Sequence, residues 1–300
     1  MTPGTEGETL DGYSLDDIEK NIHLLRQEKY QPRPVRRTYI PKEKGYRPLG
    51  MPSPRDKIIQ ECIRLLLEVS YEPRFHDHSH GFRPGRSCHT AWESMRRNWV
   101  GTKWAIKADI TACFEQVDHN CLLDILRERV EDDRFINLIR RFLKAGYMEN
   151  WEYHKTHSGT PQGSVVSPIL TNIYLDKLDK KLAEMGQQYS QGKYRRRNCM
   201  HIQLMQRRKR LLEQGEADPT IRASLEEPIR QLNHQILATP AAKYNDPAYI
   251  RVKFLRYADD VAIGVIGPKS LARQIVDEMA TYLKQSLNLE LNREKTQIYY

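Results

Sequence analysis

The sequence predicts an α+β fold in which antiparallel strand pairs are backed by amphipathic helices. Two segments, 36–51 and 254–265, each hold two short strand-like runs around a turn, which is the pattern of a β-hairpin. Elsewhere, for example at 271–287, apolar residues recur at helical spacing. Hydrophobic residues make up 39% of the 300 residues, which is enough for a core, and no apolar run approaches the ~20 residues of a membrane helix.

The N-terminal part predicts a tail, a helix and a basic hairpin. We expect residues 1–13 to form the tail and Ser14 to cap a helix to about residue 29, because acids follow in its first turn. Five prolines between residues 32 and 52 exclude a helix there, so this stretch is interpreted as the hairpin.

A second helix follows the hairpin, and its apolar spacing predicts one buried face. The predicted face is Ile58, Cys62, Leu65, Leu66 and Val69. Glycine and proline in 81–87 predict a loop, and Ser87 is placed to cap a helix to about residue 97.

The middle of the chain alternates between strands and helices. Residues 104–110 alternate as a strand, with Asp109 near its end. A hairpin hinged at Asp259 and Asp260 and a last strand at 296–300 are predicted near the C-terminus. The remaining predicted elements are helices at 119–130, 134–145 and 167–186, loop and strand at 151–164, an inserted helical segment at 187–248 and a helix at 271–287.

Positive charge is concentrated in two zones. The net charge is +9, yet residues 26–64 carry +7 and residues 187–212 carry +8, so the rest of the chain is slightly acidic. Two such zones indicate a polyanionic partner, with a pair of solvated basic faces as the alternative.

The cysteine pattern and the N-terminus indicate a cytoplasmic location. Five cysteines without a CxxC pair argue against a disulfide scaffold or a zinc ribbon and favour a reducing compartment. The first residues lack the basic-then-apolar pattern of a signal peptide. We therefore expect the interior of a bacterium or an organelle, with no membrane partner.

Three acids stand where strand propensity disfavours them. Asp259 and Asp260 are adjacent between two apolar runs, and Asp109 lies near the end of another strand. Adjacent carboxylates repel each other unless cations neutralise them, and Mg²⁺ prefers such oxygens. A polar hairpin turn without a ligand is the alternative for the adjacent pair.

Six motifs, in order, resemble those of the reverse transcriptases, and most closely those encoded by group II introns. They are RPLG at 47–50, GFRPGRS at 81–87, ADITACF at 108–114, TPQGSVVSP at 160–168, YADD at 257–260, and LNLELN at 287–292 followed by Lys295 and Thr296.

The resemblance implies a right-hand polymerase with fingers and palm. It implies fingers in 14–100, a first palm part with finger helices in 101–186, a basic insertion at 187–248 and a second palm part in 249–300. Family members continue into a helical thumb, which we expect to be absent from these 300 residues.

The resemblance also implies a metal site. Asp109 and Asp259 would bind two Mg²⁺ ions, with the carbonyl of Ile110 as a further ligand, and Asp260 would complete the acidic cluster.

Nucleotide-binding residues follow from the same resemblance. Phe114 corresponds to the aromatic steric gate that excludes a 2′-hydroxyl, and Gln162 to the loop that contacts nucleotide and template. Arg47 and Lys42 are candidates for the triphosphate, and Lys295 for a proton donor or phosphate contact. A core ring at Phe114 and an exposed lysine without a role at Lys295 are the alternatives.

The RNA-binding candidates are basic residues of a fingers loop and the insertion. They are Arg83, Arg86, Arg195, Arg196, Arg197, Arg207 and Arg208. Since no acid lies between residues 193 and 210, we expect this stretch to lack internal partners and to seek phosphates. His76, His78 and His80 form an HxHxH run, for which a polar surface is favoured over a metal site.

Two function classes stay open at this stage. The first is an RNA-directed DNA polymerase of a group II intron, which takes deoxynucleoside triphosphates and an RNA template with a DNA primer. The second is a maturase that binds intron RNA for splicing and whose catalysis is incidental. Reverse transcriptases of retrons, diversity-generating elements or CRISPR loci are further alternatives, and a homodimer is compatible with either class.

Overall fold

The structure is a computed structural model that describes residues 9, 11, 13–41, 45–156, 158–160 and 163–300. Its helices are α1 (Leu15–Arg26), α2 (Pro54–Tyr71), α3 (Cys88–Asn98), α4 (Cys113–Gln116), α5 (His119–Arg127), α6 (Asp133–Leu143), α7 (Ser167–Tyr189), α8 (Cys199–Ala217), α9 (Arg222–Ala238) and α10 (Lys269–Leu287). Its strands are β1 (Val35–Pro41), β2 (Tyr46–Met51), β3 (Trp104–Ala108), β4 (Tyr147–Glu149), β5 (Glu152–His154), β6 (Arg251–Tyr257), β7 (Asp260–Ile266) and β8 (Gln297–Tyr299). The predicted α+β class is confirmed.

The central sheet is antiparallel and has the strand order β6-β7-β3-β8. Its strands are short apolar runs, and side chains such as Ile106, Phe254 and Ile263 are buried in the core. Helix α7 packs against β6 and helix α10 against β3. The predicted C-terminal hairpin and last strand are therefore present as β6–β7 and β8.

A second sheet has the strand order β2-β1-β4-β5. The predicted basic hairpin forms β1 and β2, which are antiparallel. Strand β1 also pairs in parallel with β4, so the short β4–β5 hairpin extends this sheet. Only loop and a strand from residue 151 were predicted for that segment, because three-residue strands are too short for a periodic signal.

Serine side chains begin three of the helices. Ser14 and Ser87 form capping boxes with Asp17 and Thr90, as predicted for these two helix starts. Ser53 accepts a hydrogen bond from the backbone N–H of Asp56. The proline that follows Ser53 suits the first helical turn. Each cap contributes about 1 kcal/mol, because it satisfies backbone donors that have no partner within the helix.

Helix α2 buries a different face from the predicted one. Ile59, Ile63, Leu67 and Tyr71 are buried, whereas the exposed fractions of Leu65, Leu66 and Val69 are 48%, 60% and 80%. The helix is apolar around most of its circumference, so helical spacing fits two stripes equally well. Packing against the core buries the stripe of Ile59, Ile63, Leu67 and Tyr71. The sequence pattern alone could not show which of the two stripes would be buried.

The predicted insertion contains the helix pair α8 and α9, which pack against each other. Helix α7 continues to Tyr189 and does not end at Gly186 as expected, because Gly186 keeps a helical conformation in its last turn. No helix in the described residues is long and apolar enough to cross a membrane.

Candidate active site

The register of the central sheet brings the three predicted acids to one edge. Strand β3 pairs with β7 as far as Ala108 opposite Val261, so continuing this register places Asp109 opposite Asp260. Asp259 lies in the two-residue turn that joins β6 to β7. Carboxylates about 150 residues apart in sequence therefore lie at the same end of the sheet.

The turn that carries Asp259 is strained at the preceding residue. A two-residue hairpin turn with one positive φ favours glycine at its first position. Ala258 occupies that position with a φ of 55°. A left-handed conformation costs an ordinary L-residue roughly 1–2 kcal/mol, and such strain is concentrated at functional sites.

The backbone beside Asp109 is held by the segment that follows α10. The N–H of Asn292 donates to the carbonyl of Asp109 (2.8 Å), and the N–H of Thr111 donates to the carbonyl of Glu290 (2.9 Å). These two bonds leave the carbonyl of Ile110 outside the pairing. That carbonyl is therefore at the acidic edge without being used by this bridge.

A lysine reaches the acidic edge from the same segment. The Nζ of Lys295 lies 3.4 Å from Oδ2 of Asp109, and the side chain of Lys295 is 69% exposed. Because Lys295 is exposed, this ion pair adds little to stability. Its significance lies in its position, since it places a mobile cation beside the predicted metal ligand.

The acids of this edge act on one another electrostatically. Burial raises the pKa of the Asp260 carboxyl, and the charges of Asp259 and Asp109 raise it further. The ammonium groups of Lys107 and Lys295 oppose that effect. Accumulated negative charge with too few cations is the environment in which a divalent ion is stabilised.

The donor set fits Mg²⁺. Among the described residues, no group of three or more histidine, cysteine, aspartate or glutamate side chains is arranged to hold a metal ion by itself. Two carboxylates and a carbonyl, at Asp109, Asp259 and Ile110, are nevertheless the kind of partial set that Mg²⁺ takes when substrate phosphates and water supply its other ligands.

Phe114 lies on α4, directly after the strand end that carries Asp109. It is half-buried, and its ring meets that of Phe82 edge to face with 6.3 Å between centroids. Phe82 is 59% exposed and has a φ of 55°. Burial raises the pKa of the neighbouring Cys113 thiol to about 12, and the charge of Asp259 adds to this, so Phe114 follows a residue close to the acids.

Two glycines, at 159 and 163, allow close approach of the backbone to neighbouring segments. Gly159 has a φ of 86°, and a Cβ there would lie 2.6 Å from the carbonyl oxygen of Glu115. Gly163 has a φ of 99°, and a Cβ would lie 2.6 Å from the carbonyl oxygen of Gly50. Thr160 also donates its N–H to the Phe114 carbonyl (2.7 Å).

These contacts bring three of the resembling motifs together. Gly163 lies against β2, which carries Arg47, and Gly159 lies against α4, which carries Phe114. Arg47 is exposed on β2. A cleft of about 330 Å³ lies between the second sheet and residues 155–156 and 158–160. The predicted nucleotide-binding residues Lys42 and Gln162 lie outside the described residues.

The structure gives Arg83 an internal role, which corrects its prediction as an RNA contact. Its side chain is 3% exposed and binds both carboxylate oxygens of Glu72. It also donates to the carbonyls of His76 and Ser79. No N–H of this guanidinium faces an incoming phosphate. Arg86 is more accessible, although it is paired with Asp77 (3.0 Å).

Some basic residues of the insertion have partners within the protein, which the uninterrupted positive charge of this stretch did not indicate. Arg196 forms an ion pair with the buried carboxylate of Asp246 (2.7 Å), which follows α9 and lies outside the basic stretch. Arg195 donates to the Gly101 carbonyl (2.9 Å). The expectation that this stretch lacks partners is therefore wrong for Arg195 and Arg196.

The remaining insertion candidates differ in accessibility. Arg208 is half-buried and donates to Asn233 of α9 (3.1 Å), whereas Arg197 and Arg207 are exposed. Exposed guanidinium groups remain available to phosphates, so Arg197 and Arg207 keep the role predicted for them as a proposal.

The histidine run packs against the sheet. The rings of His76 and His78 lie 5.0 Å and 5.3 Å from that of Phe254, between centroids. Nδ1 of His80 lies 2.9 Å from the hydroxyl of Thr90. The run belongs to residues 75–87, the loop before α3, which we call the fingers loop. These contacts make the run part of the packing between the fingers loop and β6.

Sequence reasoning missed a buried polar cluster beneath the acidic turn. Arg256 is fully buried and pairs with the equally buried Asp179 of α7 (2.7 Å), close to Asn172 and Ser79. The available signal was an arginine within the short apolar run 254–257. A buried charge at that position needs a partner, and Asp179 on the apolar face of α7 is the partner.

Comparison with known proteins identifies relatives along nearly the whole chain. Residues 40–200 match the family described as reverse transcriptase (RNA-dependent DNA polymerase). The group II intron-encoded protein LtrA of Lactococcus lactis is 39% identical over 302 residues, covering 99% of this chain and 50% of LtrA. The putative COX1/OXI3 intron 1 protein of Saccharomyces cerevisiae is 37% identical over 300 residues, covering 99% of this chain and 34% of that protein.

A solved structure shares the fold. The telomerase of Candida albicans, in complex with a fragment of telomeric RNA, superimposes with a TM-score of 0.54 and 11% identity. The match covers 95% of this chain and 46% of the telomerase chain. This chain therefore spans about half the length of LtrA. It spans 34% of the Saccharomyces cerevisiae intron protein and 46% of the telomerase chain.

Proposed function

Since the chain belongs to the reverse transcriptase family, in the branch of the group II intron-encoded proteins, we propose that it is an RNA-directed DNA polymerase. Its substrates are deoxynucleoside triphosphates and a DNA primer on an RNA template, and intron RNA is the template it serves inside the cell or organelle. The observation that carries this proposal is the convergence of Asp109, Asp259 and Asp260 at one edge of the central sheet.

The acidic edge supplies the ligands for two Mg²⁺ ions. When bound, such ions lower the pKa of an attacking hydroxyl and neutralise charge on a leaving phosphate oxygen. Asp109 and Asp259 would hold them, the Ile110 carbonyl would add a ligand, and Asp260 would add negative charge to the site. Lys295, whose Nζ lies 3.4 Å from Oδ2 of Asp109, is the residue that we propose contacts a phosphate or gives a proton to the leaving group.

Nucleotide selection takes place beside α4. The ring of Phe114 lies under the deoxyribose and leaves no room for a 2′-hydroxyl. Arg47 on β2 and Lys42 bind the triphosphate, because guanidinium and ammonium groups suit phosphate oxygens. Gln162 contacts the nucleotide and the template.

An RNA-templated primer extension assay tests the proposal. The purified protein should add deoxynucleotides to a DNA primer on an RNA template in the presence of Mg²⁺. Asp109→Asn, which keeps the shape of the side chain but removes its charge, should lower the rate by ~10³-fold or more. Exposed Asp277→Asn on α10 is the matched control and should retain the rate. Equal rates for both variants would contradict the assignment of Asp109.

A second function, intron RNA binding as a maturase, is favoured by one observation. Arg207, Lys209 and Arg210 are basic residues of α8 with exposed side chains. Such side chains bind phosphates without taking part in polymerisation. We therefore propose that one chain performs both DNA synthesis and RNA binding for splicing and mobility, on separate surfaces.

A further inference from the structure

A single guanidinium uses all of its donors beneath the acidic turn. Arg256 has five N–H groups, and it donates one bond each to Oδ1 and Oδ2 of Asp179, at 2.8 and 2.7 Å. The others go to Oδ1 of Asn172 (3.0 Å), the carbonyl of Ala258 (2.7 Å) and the hydroxyl of Ser79 (2.8 Å). A fully buried arginine with every donor satisfied is fixed in one orientation.

One of these bonds acts on the strained residue of the turn. Ala258 is left-handed, with a φ of 55°, and directly precedes Asp259. Its carbonyl, which faces inward, accepts from Arg256 two residues earlier in the chain. This bond stabilises the turn in a conformation that alanine disfavours. The orientation of Asp259 depends on that conformation.

The amide of Asn172 joins the same cluster to the fingers loop. Its Oδ1 accepts from Arg256, and its Nδ2 donates to the carbonyl of Gly81 (2.9 Å). Gly81 lies so close to the turn that a Cβ would be 2.2 Å from the backbone nitrogen of Ala258. Asn172, which is 2% exposed, therefore links the loop to the turn through one side chain.

Backbone pairing strengthens this link. The N–H of Arg256 donates to the carbonyl of His78 (2.8 Å), and the N–H of His80 donates to the carbonyl of Arg256 (2.9 Å). The fingers loop thus pairs with β6 two residues before the turn begins. Phe82, which follows Gly81, contacts Phe114 with its ring.

We propose that Asn172 and Arg256 are positioning residues that hold the fingers loop and the acidic turn as one unit, so that Asp259 and the Phe82–Phe114 pair keep a fixed relation. This inference rests on the proposed polymerase function for its kinetic consequence. Neither residue touches the substrate. Loss of the link changes the placement of Asp259, and with it the rate of the chemical step, more than the affinity for nucleotide or primer–template.

Asn172→Ala removes both bonds of the amide, and Thr171→Val is the matched control. Thr171 is the adjacent residue on α7 and is equally buried, but its hydroxyl has no hydrogen-bond partner among the described residues. Replacing it with the isosteric valine therefore changes a buried polar group without touching the turn. Asn172→Asp is a second variant, which keeps an acceptor for Arg256 but removes the donor to Gly81, in case alanine prevents folding.

The kinetic measurement is single-nucleotide incorporation. We expect Asn172→Ala to lower kcat about 10–100-fold while KM for the deoxynucleotide and Kd for primer–template stay within about threefold. Asn172→Asp should lower kcat by less, and Thr171→Val should leave all three values unchanged. An unchanged kcat in Asn172→Ala, or a loss confined to KM, would overturn the proposal.

A second measurement does not depend on activity. Amide hydrogen exchange in Asn172→Ala should be faster in residues 79–82 and 257–260, while the rest of the central sheet exchanges as in the unmodified protein. Thr171→Val should show neither change. Exchange that is unaltered in both segments, or faster throughout the protein, would refute the link even if the protein proved to have no polymerase activity.

Discussion

At the scale of single residues, the role of each charged side chain depends on the groups that surround it. Asp109 and Asp259 could be predicted from the sequence as candidate functional residues, because a carboxylate beside or within an apolar strand does not stabilise that strand. Arg83 and Arg256 could not be distinguished in this way, because an arginine in a sequence gives no sign of whether its partner is an RNA phosphate or a buried carboxylate. Their partners, Glu72 and Asp179, are found only in the folded chain.

The proposed gate at Phe114 makes a prediction about sugar selectivity. Phe114→Val opens the space beside the sugar, so kcat/KM for ribonucleotides should rise relative to that for deoxynucleotides, at some loss of overall rate. Single-nucleotide incorporation with matched ribo- and deoxynucleotides measures this ratio. Exposed Tyr153→Ala, a ring removed from β5, is the control. If the ratio is unchanged in Phe114→Val, the ring serves core packing only.

His80 makes a prediction about acid stability. Burial lowers the pKa of its imidazole to about 4, and the nearby charges of Arg86 and Arg83 act in the same direction. The folded state therefore keeps His80 neutral, while the unfolded chain takes up a proton near pH 6.5. Its contribution is complete above pH 6.5 and is lost as the pH falls from 6.5 towards 4.

Denaturant unfolding at several pH values tests this. His80→Asn keeps a polar atom near Thr90 but cannot gain a proton, so its free energy of unfolding should fall less steeply between pH 6.5 and 4 than that of the unmodified protein. Burial also lowers the pKa of His78, and that residue is present in both proteins. Parallel curves over that range would contradict the role given to His80.

At the scale of elements, prediction succeeded where one local rule decides and failed where packing decides. Ser14 and Ser87 begin helices because a capping serine needs only its own first turn. The buried face of α2 depended on which of two apolar stripes meets the core, and the short β4–β5 hairpin depended on β1 as a partner. Neither could follow from periodicity alone.

The helix pair of the insertion makes a prediction about RNA affinity. Arg207 and Arg210 are exposed on α8, so replacing both with alanine should weaken intron RNA binding and flatten the slope of log affinity against log salt by up to ~2. Filter binding across a salt series measures this slope. Arg273→Ala with Lys284→Ala, two exposed cations on α10, is the matched control.

The structure changes which insertion residues should be tested in this way. Arg195 and Arg196 have internal partners, so their replacement should lower the stability of the segment around Asp246 more than it changes the salt slope. An equal effect on the slope from the α8 pair and the α10 pair would mean that α8 does not meet the RNA.

At the scale of the whole molecule, motifs that are far apart in sequence surround one site. Strand β3 and the β6–β7 hairpin bring the acids together, the segment after α10 adds Lys295, and the second sheet presents Arg47. The order of motifs along the chain predicted this convergence through family resemblance. It did not predict the cluster around Arg256 and Asn172, because those residues interact only after the fingers loop has packed on the sheet.

The most direct test of this account measures DNA synthesis and intron RNA binding on the same Asp259→Asn protein. Asparagine keeps the size of the side chain, so the turn and the basic surfaces should persist while the metal ligand is lost. We expect RNA-templated primer extension with Mg²⁺ to fall by ~10³-fold or more, and the Kd for intron RNA and its salt slope to stay unchanged. Near-normal extension by Asp259→Asn would contradict the assignment of the active site.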